Sequence, residues 1–223
     1  MNRREEIPLF PLPNVVLFPD ALLPLHIFEP RYRQMVQDAC NGDRKIGMVL
    51  LKKGWENRYE ENPDVFATGC MGQIVDVESL PDGRFNILLK GICRFAVGDV
   101  VQPKPYRRAR VSPLEDRIDD LQDAAERTAR KNLNEAAAAI AEFFVYNKMS
   151  LNRVPVDFKA PLGTVVDTLS YYLAIDPYEK QPILEEIRVG ARAGMLYEKM
   201  MDLVQFKKAT REGWKFADGA DLN

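Results

Sequence analysis

One histidine, three cysteines and four serines are the side chains here whose types could carry bond chemistry. Their spacing argues against most of it. His26 stands alone, so a two-histidine metal site cannot form within one chain, and metalloprotease motifs are excluded. Ser79, Ser112, Ser150 and Ser170 lie in no G-x-S-x-G, and none begins S-x-x-K. There is no Gly-Lys-Ser or Gly-Lys-Thr for a Walker A loop, and no G-x-G-x-x-G for a dinucleotide. Cys40, Cys70 and Cys93 are odd in number and form no C-x-x-C, which reads as reduced packing residues in a reducing cytoplasm. The carboxylate pairs Glu60–Glu61, Asp119–Asp120 and Glu185–Glu186 read as solvated faces or helix starts. The sequence therefore predicts no catalytic residue, no cofactor, no metal and no enzyme.

The elements that would position any remaining site follow from composition and pattern. The chain has 223 residues, 46% of them hydrophobic and 29% charged, which allows one large domain or two small ones. A net charge of −2 argues against charge-driven nucleic-acid binding. It leaves only a local patch at Lys104, Arg107, Arg108 and Arg110, where a strand would put Arg107 opposite Arg108 and Arg110. The opening Met1-Asn2-Arg3-Arg4 runs into prolines rather than a signal peptide's apolar core, and no apolar run approaches the roughly 18 residues of a membrane span.

The first half is rich in strands and turns. Prolines 8, 11, 13, 19, 24 and 30 break up short apolar pieces, so this segment is expected along edges and corners rather than in a central strand. One helix follows, with Pro30 at its first position and Tyr32, Met35, Val36 and Ala39 at i, i+3, i+4 and i+7. Asn41-Gly42 is its expected left-handed stop. Strand patterns recur at 47–51, 73–78, 84–90, 92–101 and 107–111, with Leu80-Pro81-Asp82-Gly83-Arg84 as a hairpin turn. Repeated short strands imply a closed or half-closed barrel with one inserted helix. From Asp116 the texture becomes helical, predicting a long helix over 119–147 and further helices over 162–174 and 178–209. Gly190 and Gly194, four apart, allow either a close helix crossing or a break. The expectation is an α+β protein: a barrel over 1–114 and a helical part over 115–223.

One string is more specific. Ile7-Pro8-Leu9-Phe10-Pro11-Leu12, Val15-Val16-Leu17-Phe18-Pro19 and Leu23-Pro24-Leu25-His26-Ile27-Phe28-Glu29-Pro30-Arg31-Tyr32 closely resemble the opening of the Lon protease N-terminal domain family. The likeness continues through Lys45-Ile46-Gly47, Gly69 to Ile74, Pro81-Asp82-Gly83-Arg84, Leu89-Lys90-Gly91, Arg94-Phe95 and Glu179 to Glu185. Pro19, Pro24, His26, Phe28, Glu29, Pro30, Tyr32, Gly83 and Gly91 are read as its structural signature. The resemblance implies a PUA-like pseudobarrel followed by helices. It also implies a free-standing, non-catalytic polypeptide-recognition module without the ATPase and protease domains. The partners it implies are unfolded or tagged polypeptides, and a separate AAA+ protease or chaperone to which an adaptor would hand them.

Within that frame Leu25, Ile27 and Phe28 are expected to pack the barrel, His26 to be a hydrogen-bonded structural histidine, and Glu29 to cap the helix at Pro30. Arg31, Arg33 and Gln34 form either a polar rim for polypeptide contact or an ordinary solvated helix face. In the polar loop 54–63, Trp55, Arg58 and Tyr59 suit a binding surface, since Trp, Tyr and Arg dominate hot spots; the alternative folds Trp55 back over a barrel end. Trp214 and Phe216 pose the same choice, with self-association as an outcome. An RNA-binding module through the basic patch is the alternative from another class.

Overall fold

The computed structural model describes residues 5–101, 105–118, 122–146 and 156–217, with side chains described throughout these except at 60, 61, 141–146, 207 and 210–217. The chain divides into two compact units, one formed by Met1–Asp116 with Ala174–Ile187 and the other by Arg117–Leu173 with Arg188–Asn223.

The first unit is a six-stranded mixed sheet. Its strands are β1 (Glu5–Leu12), β2 (Leu22–Ile27), β3 (Lys45–Leu50), β4 (Thr68–Ser79), β5 (Phe85–Val101) and β6 (Arg108–Leu114). They run in the order β2-β5-β4-β3-β1-β6, and β6 also pairs with β5, which curls the sheet into a partial ring. Helix α1 (Pro30–Cys40) is the single α-helix inserted among the strands, and it buries Tyr32, Met35, Val36 and Ala39 as its spacing requires. Ile7, Leu9, Val49, Met71, Phe95, Ala109 and Val111 form the core inside the ring.

The prolines of β1 are not at an edge, contrary to expectation, because the strand changes partners midway. Glu5 to Pro8 pair with β6 and Leu9 to Leu12 with β3. The Leu9 N–H donates to the Arg107 carbonyl at 2.8 Å, so odd-numbered residues face β6; the Leu12 carbonyl accepts from Leu51, so even-numbered ones face β3. Pro8 thus turns its missing donor toward β3 before that pairing begins, and Pro11 toward β6 after that pairing has ended. No ladder bond is lost.

Two expected strands, 84–90 and 92–101, are one. β5 runs through 17 residues and pairs with β2, β4 and β6. Its register against β4 shifts between Met71 and Gly72, leaving Ile92 as an extra residue beside Gly91. The Gly91 N–H donates to the Ala21 carbonyl, its carbonyl accepts from Asp20, and a Cβ there would run into the Phe18 carbonyl. At the β4–β5 hairpin Gly83 takes φ +78° and donates to Leu80, the turn that Pro81-Asp82-Gly83 encodes. After α1 the left-handed residue is Arg44 (φ 57°), not Asn41 or Gly42: Asn41 stays right-handed at φ −81°, and the Arg44 N–H reaches back to the Ala39 carbonyl.

The second unit holds α2 (Asp123–Tyr146), α3 (Leu162–Tyr172) and α5 (Val189–Ala217), numbering α4 (Pro177–Glu185) in chain order between the last two. Leu133 and Ala136 of α2, Val165, Val166 and Leu169 of α3, and Ala193, Leu196 and Met200 of α5 are buried, with an Arg192–Asp167 ion pair among them. Ala124, Ala125 and Thr128 of α2 are exposed, and with Gly190 and Gly194 they line a groove between α2 and α5. The glycines therefore do not break α5, and a Cβ at Gly194 would meet nothing within 4 Å.

The helix expected over 178–209 is two helices. Asp176 caps α4 through Tyr178 N–H, Pro182 removes a donor inside it, and the chain extends before Val189 restarts a helix by donating to Arg117. The burial explains the break. Gln181, Ile183 and Leu184 belong to the barrel unit, where Gln181 donates to the Thr68 carbonyl and buried Arg94 donates to the Leu184 carbonyl at 2.8 Å. The residues after 188 bury into the helical unit. A single boundary at 114 consequently misses the return of 174–187 to the barrel unit.

Gly91→Ala should lower stability by about 2–3 kcal/mol, since the new methyl meets backbone rather than a side chain that can move. Chemical denaturation would show it; an unchanged midpoint would contradict the close approach at Phe18.

Candidate functional site

The sequence candidates on α1 and in the 54–63 loop meet around one carboxylate. The loop folds as a short 3-10 helix, Glu56–Glu61, whose Tyr59 hydroxyl donates to Glu29 Oε1 at 2.8 Å. Arg31 Nε donates to Glu29 Oε2 at 3.0 Å, and the guanidinium lies over both the Tyr32 and Tyr59 rings, 4.7 and 4.8 Å from their centroids. Tyr32 in turn packs on Phe10 at 4.4 Å. Glu29 is therefore not a side-chain cap: its carbonyl takes the first helical N–H groups, from Tyr32 and Arg33, while its carboxylate turns to Arg31 and Tyr59. Burial is the largest influence pushing the Tyr59 phenol up, helped by the neighbouring carboxylate. Burial alone would weaken the Arg31 charge, but the two tyrosines and Glu29 together hold it above its ordinary value.

Trp55 is half-buried. Its ring meets Tyr59 edge-on at 5.8 Å, and its side chain lies by the Tyr178 hydroxyl, where it works against the burial that raises that phenol. Tyr178, on α4, also packs near Phe66 and under Lys53. No sequence signal linked it to the loop, because the contact spans more than a hundred residues. Arg58 is exposed on the loop. Arg33 lies against Gly83 of the hairpin, and Gln34 donates to Asp38 at 2.8 Å. Arg31, Tyr59 and Trp55 are thus brought together, whereas Arg33 and Gln34 point elsewhere. The side chains of Trp214 and Phe216, and all of Lys104, lie outside the described residues.

The basic patch is dispersed. Arg107 donates to Asn62 and the Pro63 carbonyl, with burial lowering its pKa; Arg108 pairs with Glu6 at 2.8 Å; Arg110 faces Asp99 at 3.9 Å.

A second surface went unread in the sequence. Phe28, expected in the core, is 60% exposed, while Ile27 is buried and Leu25 half-buried. The reason is strand parity. Among the described residues β5 is the one strand paired with β2, with Leu23 opposite Leu89 and Ile27 opposite Phe85. Leu23 and Ile27 face the core, so Leu22, Pro24, His26 and, just past the strand, Phe28 face outward. Leu22 is 44% exposed, and Leu88 of β5 sits opposite Pro24 on the same face. Pro24 turns its missing donor to the open edge, because the Ala21 carbonyl bonds to β5 and fixes the alternation. The alternation Leu22/Leu23/Pro24/Leu25 was the available signal, masked because both phases are apolar.

On the outer face His26 holds a directed set of hydrogen bonds. Asn86 Nδ2 donates to Glu78 at 2.7 Å, which turns Asn86 Oδ1 to His26 Nδ1 at 2.8 Å. Arg84 approaches His26 Nε2 at 3.3 Å while also pairing with Asp82, whose carboxyl it pulls down to about 2.

The arrangement of this unit can be set beside known proteins. The family model described as the ATP-dependent protease La (LON) substrate-binding domain matches residues 6–202. The chain belongs to the Lon substrate-binding domain family. The Lon protease of Cytophaga hutchinsonii is 28% identical over 216 residues, covering 92% of this chain and 25% of that protein. The Lon protease of Anaeromyxobacter dehalogenans is 26% identical over 197 residues, covering 86% and 22%. The chain thus spans about a quarter of the length of these curated relatives, and the match falls on the substrate-binding domain rather than on the ATPase or protease part. Two solved structures share the fold. The Lon N-terminal domain protein of Xanthomonas campestris superposes with a TM-score of 0.62 at 24% identity, covering 86% of this chain and 96% of that one. The N-terminal domain of a Mycobacterium avium complex Lon protease gives 0.66 at 14% identity, covering 89% and 99%. Among the described residues no helix is long and apolar enough to cross a membrane, and no group of three or more His, Cys, Asp or Glu is placed to hold a metal. Of the residues read from the sequence as a structural signature, Tyr32, Glu29, Gly83 and Gly91 are engaged in contacts within the barrel unit, while Pro24, His26 and Phe28 are exposed on β2 and just past it.

Arg31→Ala should cost about 1–2 kcal/mol, because two aromatic contacts and a carboxylate partner go together, and Tyr59→Phe about 1 kcal/mol. Thermal denaturation of both variants would check the cluster's structural role; two unchanged midpoints would refute it.

Proposed function

We propose that this chain is a non-catalytic polypeptide-recognition module that docks apolar segments of unfolded or tagged proteins on the outer face of β2. The observation that carries the reading is the outward row Leu22, Pro24, His26 and Phe28 on an edge strand of a Lon-family substrate-binding fold. Three of these four side chains are apolar, and the flanking β5 position adds Leu88. Covering Leu22 and Phe28 contributes on the order of 1–2 kcal/mol each, so one contact is weak and gains strength by repetition along a client.

Recognition here is led by side chains. Strand addition needs donors along the edge, and Pro24 removes one at its centre. The Arg31, Tyr59 and Trp55 cluster fixes the chain next to Phe28 through Glu29, and exposed Arg58 borders it; Arg33 and Gln34 lie on the adjoining α1 surface. An adaptor that hands such clients to a separate AAA+ protease or chaperone fits a module of this kind in a reducing cytoplasm, without cofactor. The RNA reading has less support, since Arg107, Arg108 and Arg110 are each engaged with a different partner.

Leu22→Asp with Phe28→Asp should weaken binding of a reduced, carboxymethylated lactalbumin probe about tenfold or more in fluorescence anisotropy, with the melting temperature unchanged. Undiminished binding by that double variant, or a loss seen only in a Trp55 variant, would move the site away from β2.

A further inference from the structure

Resting on the recognition reading above, we propose that His26 is a pH-sensitive control on the β2 surface, accepting apolar segments when its imidazole is neutral and resisting them when it is protonated. The protonation state in the structure follows from its partners. Glu78 on β4 can only accept, so it fixes the Asn86 amide with nitrogen toward itself and Oδ1 toward His26. Oδ1 also accepts only, so Nδ1 carries the proton. A guanidinium can only donate, so Nε2, 3.3 Å from Arg84, must present its lone pair. The order Arg84 to His26 to Asn86 to Glu78 runs in one direction, from the β4–β5 turn to β2, then β5, then β4, and it closes only with neutral imidazole.

The charged groups around it favour that state being a distinct one. Arg84, in the β4–β5 turn, stays cationic and is anchored on its far side by Asp82, which remains ionised at any physiological pH. Arg33 of α1 lies against Gly83 in the same turn. Glu78 is one residue removed, beyond Asn86. On its own segment His26 has Phe28, stacked at 6.3 Å, as its near neighbour. An imidazolium cannot accept from Arg84, so protonation breaks the set at its centre and leaves Arg84 to Asp82 alone. It also puts a full charge between Pro24 and Phe28. Covering that charge with an apolar segment costs desolvation that the neutral ring does not.

His26 is the one histidine in the chain, which makes the test direct. A short end-blocked peptide alternating Leu or Phe with Ser carries no titrating group of its own. Its affinity for the full chain should fall about threefold or more between pH 8 and pH 5.5, and His26→Gln should bind it with a flat profile. In NMR the imidazole signals should change with pH together with those of the Asn86 side-chain amide and the Arg84 Nη–H groups. A wild-type profile as flat as the Gln variant's, or parallel declines in both, overturns the control while leaving recognition standing. An imidazole that titrates without moving the Asn86 and Arg84 signals overturns it whatever the binding shows. A peptide that binds at no pH removes the recognition reading itself, and this control with it.

Discussion

The approach of Gly91 to the Phe18 carbonyl governs the surface on which the functional reading rests. β5 carries a strand on both sides along most of its length, and such a strand has little freedom to shift. At Gly91 its backbone bonds to Asp20 and Ala21, and the absence of a Cβ lets the chain before β2 lie directly on it. That contact sets where β2 begins to pair, with Leu22 against Lys90. A slip of one residue would exchange the two faces of β2 and turn Leu23, Leu25 and Ile27 outward. The outer row is therefore a consequence of backbone contact some distance from it.

The same strand explains the shape of the ring. The first half of β5 holds β2 and β4, and the second half holds β4 and β6. The bulge at Ile92 lets it bend between the two, since an extra residue strengthens local twist. Pairing β6 with β5 removes one exposed edge. Among the described residues it leaves β2 as the other, blunted by Pro24.

What the sequence reveals about this fold is local. The buried face of α1 is legible because its helix is amphipathic, and the 80–84 turn because Pro, Asp and Gly each have a backbone reason to be there. The β1 prolines mislead because their tolerance depends on two partners that arrive from β3 and β6. Phe28 misleads for a different reason: size and hydrophobicity favour the core on average, but its side of the strand is decided by register. The α4–α5 break depends on long-range bonds, from Arg94 to Leu184 and from Gln181 to Thr68, that no window of sequence contains. Of the candidate site, Arg31, Tyr59 and Trp55 do gather, yet the carboxylate that gathers them reads in the sequence as a helix cap, and Tyr178 beside Trp55 lies far along the chain.

The two neighbouring surfaces differ in what they ask of a partner. Around Glu29 the polar atoms and ring faces already have counterparts: each carboxylate oxygen accepts from within the chain, and the Arg31 guanidinium lies over two rings. A client docking there would have to displace bonds that the protein makes with itself, and the exchange would gain little. On β2 the situation is reversed. Phe28 keeps more than half of its surface in water, and Leu22 nearly half, so covering their side chains removes apolar area from solvent. Tyr, Trp and Arg mark hot spots when they are exposed; here they are largely spent on holding the loop to the barrel. The apolar row beside them, fixed by strand register and crossed by one imidazole, is where added contacts come at least cost to the fold.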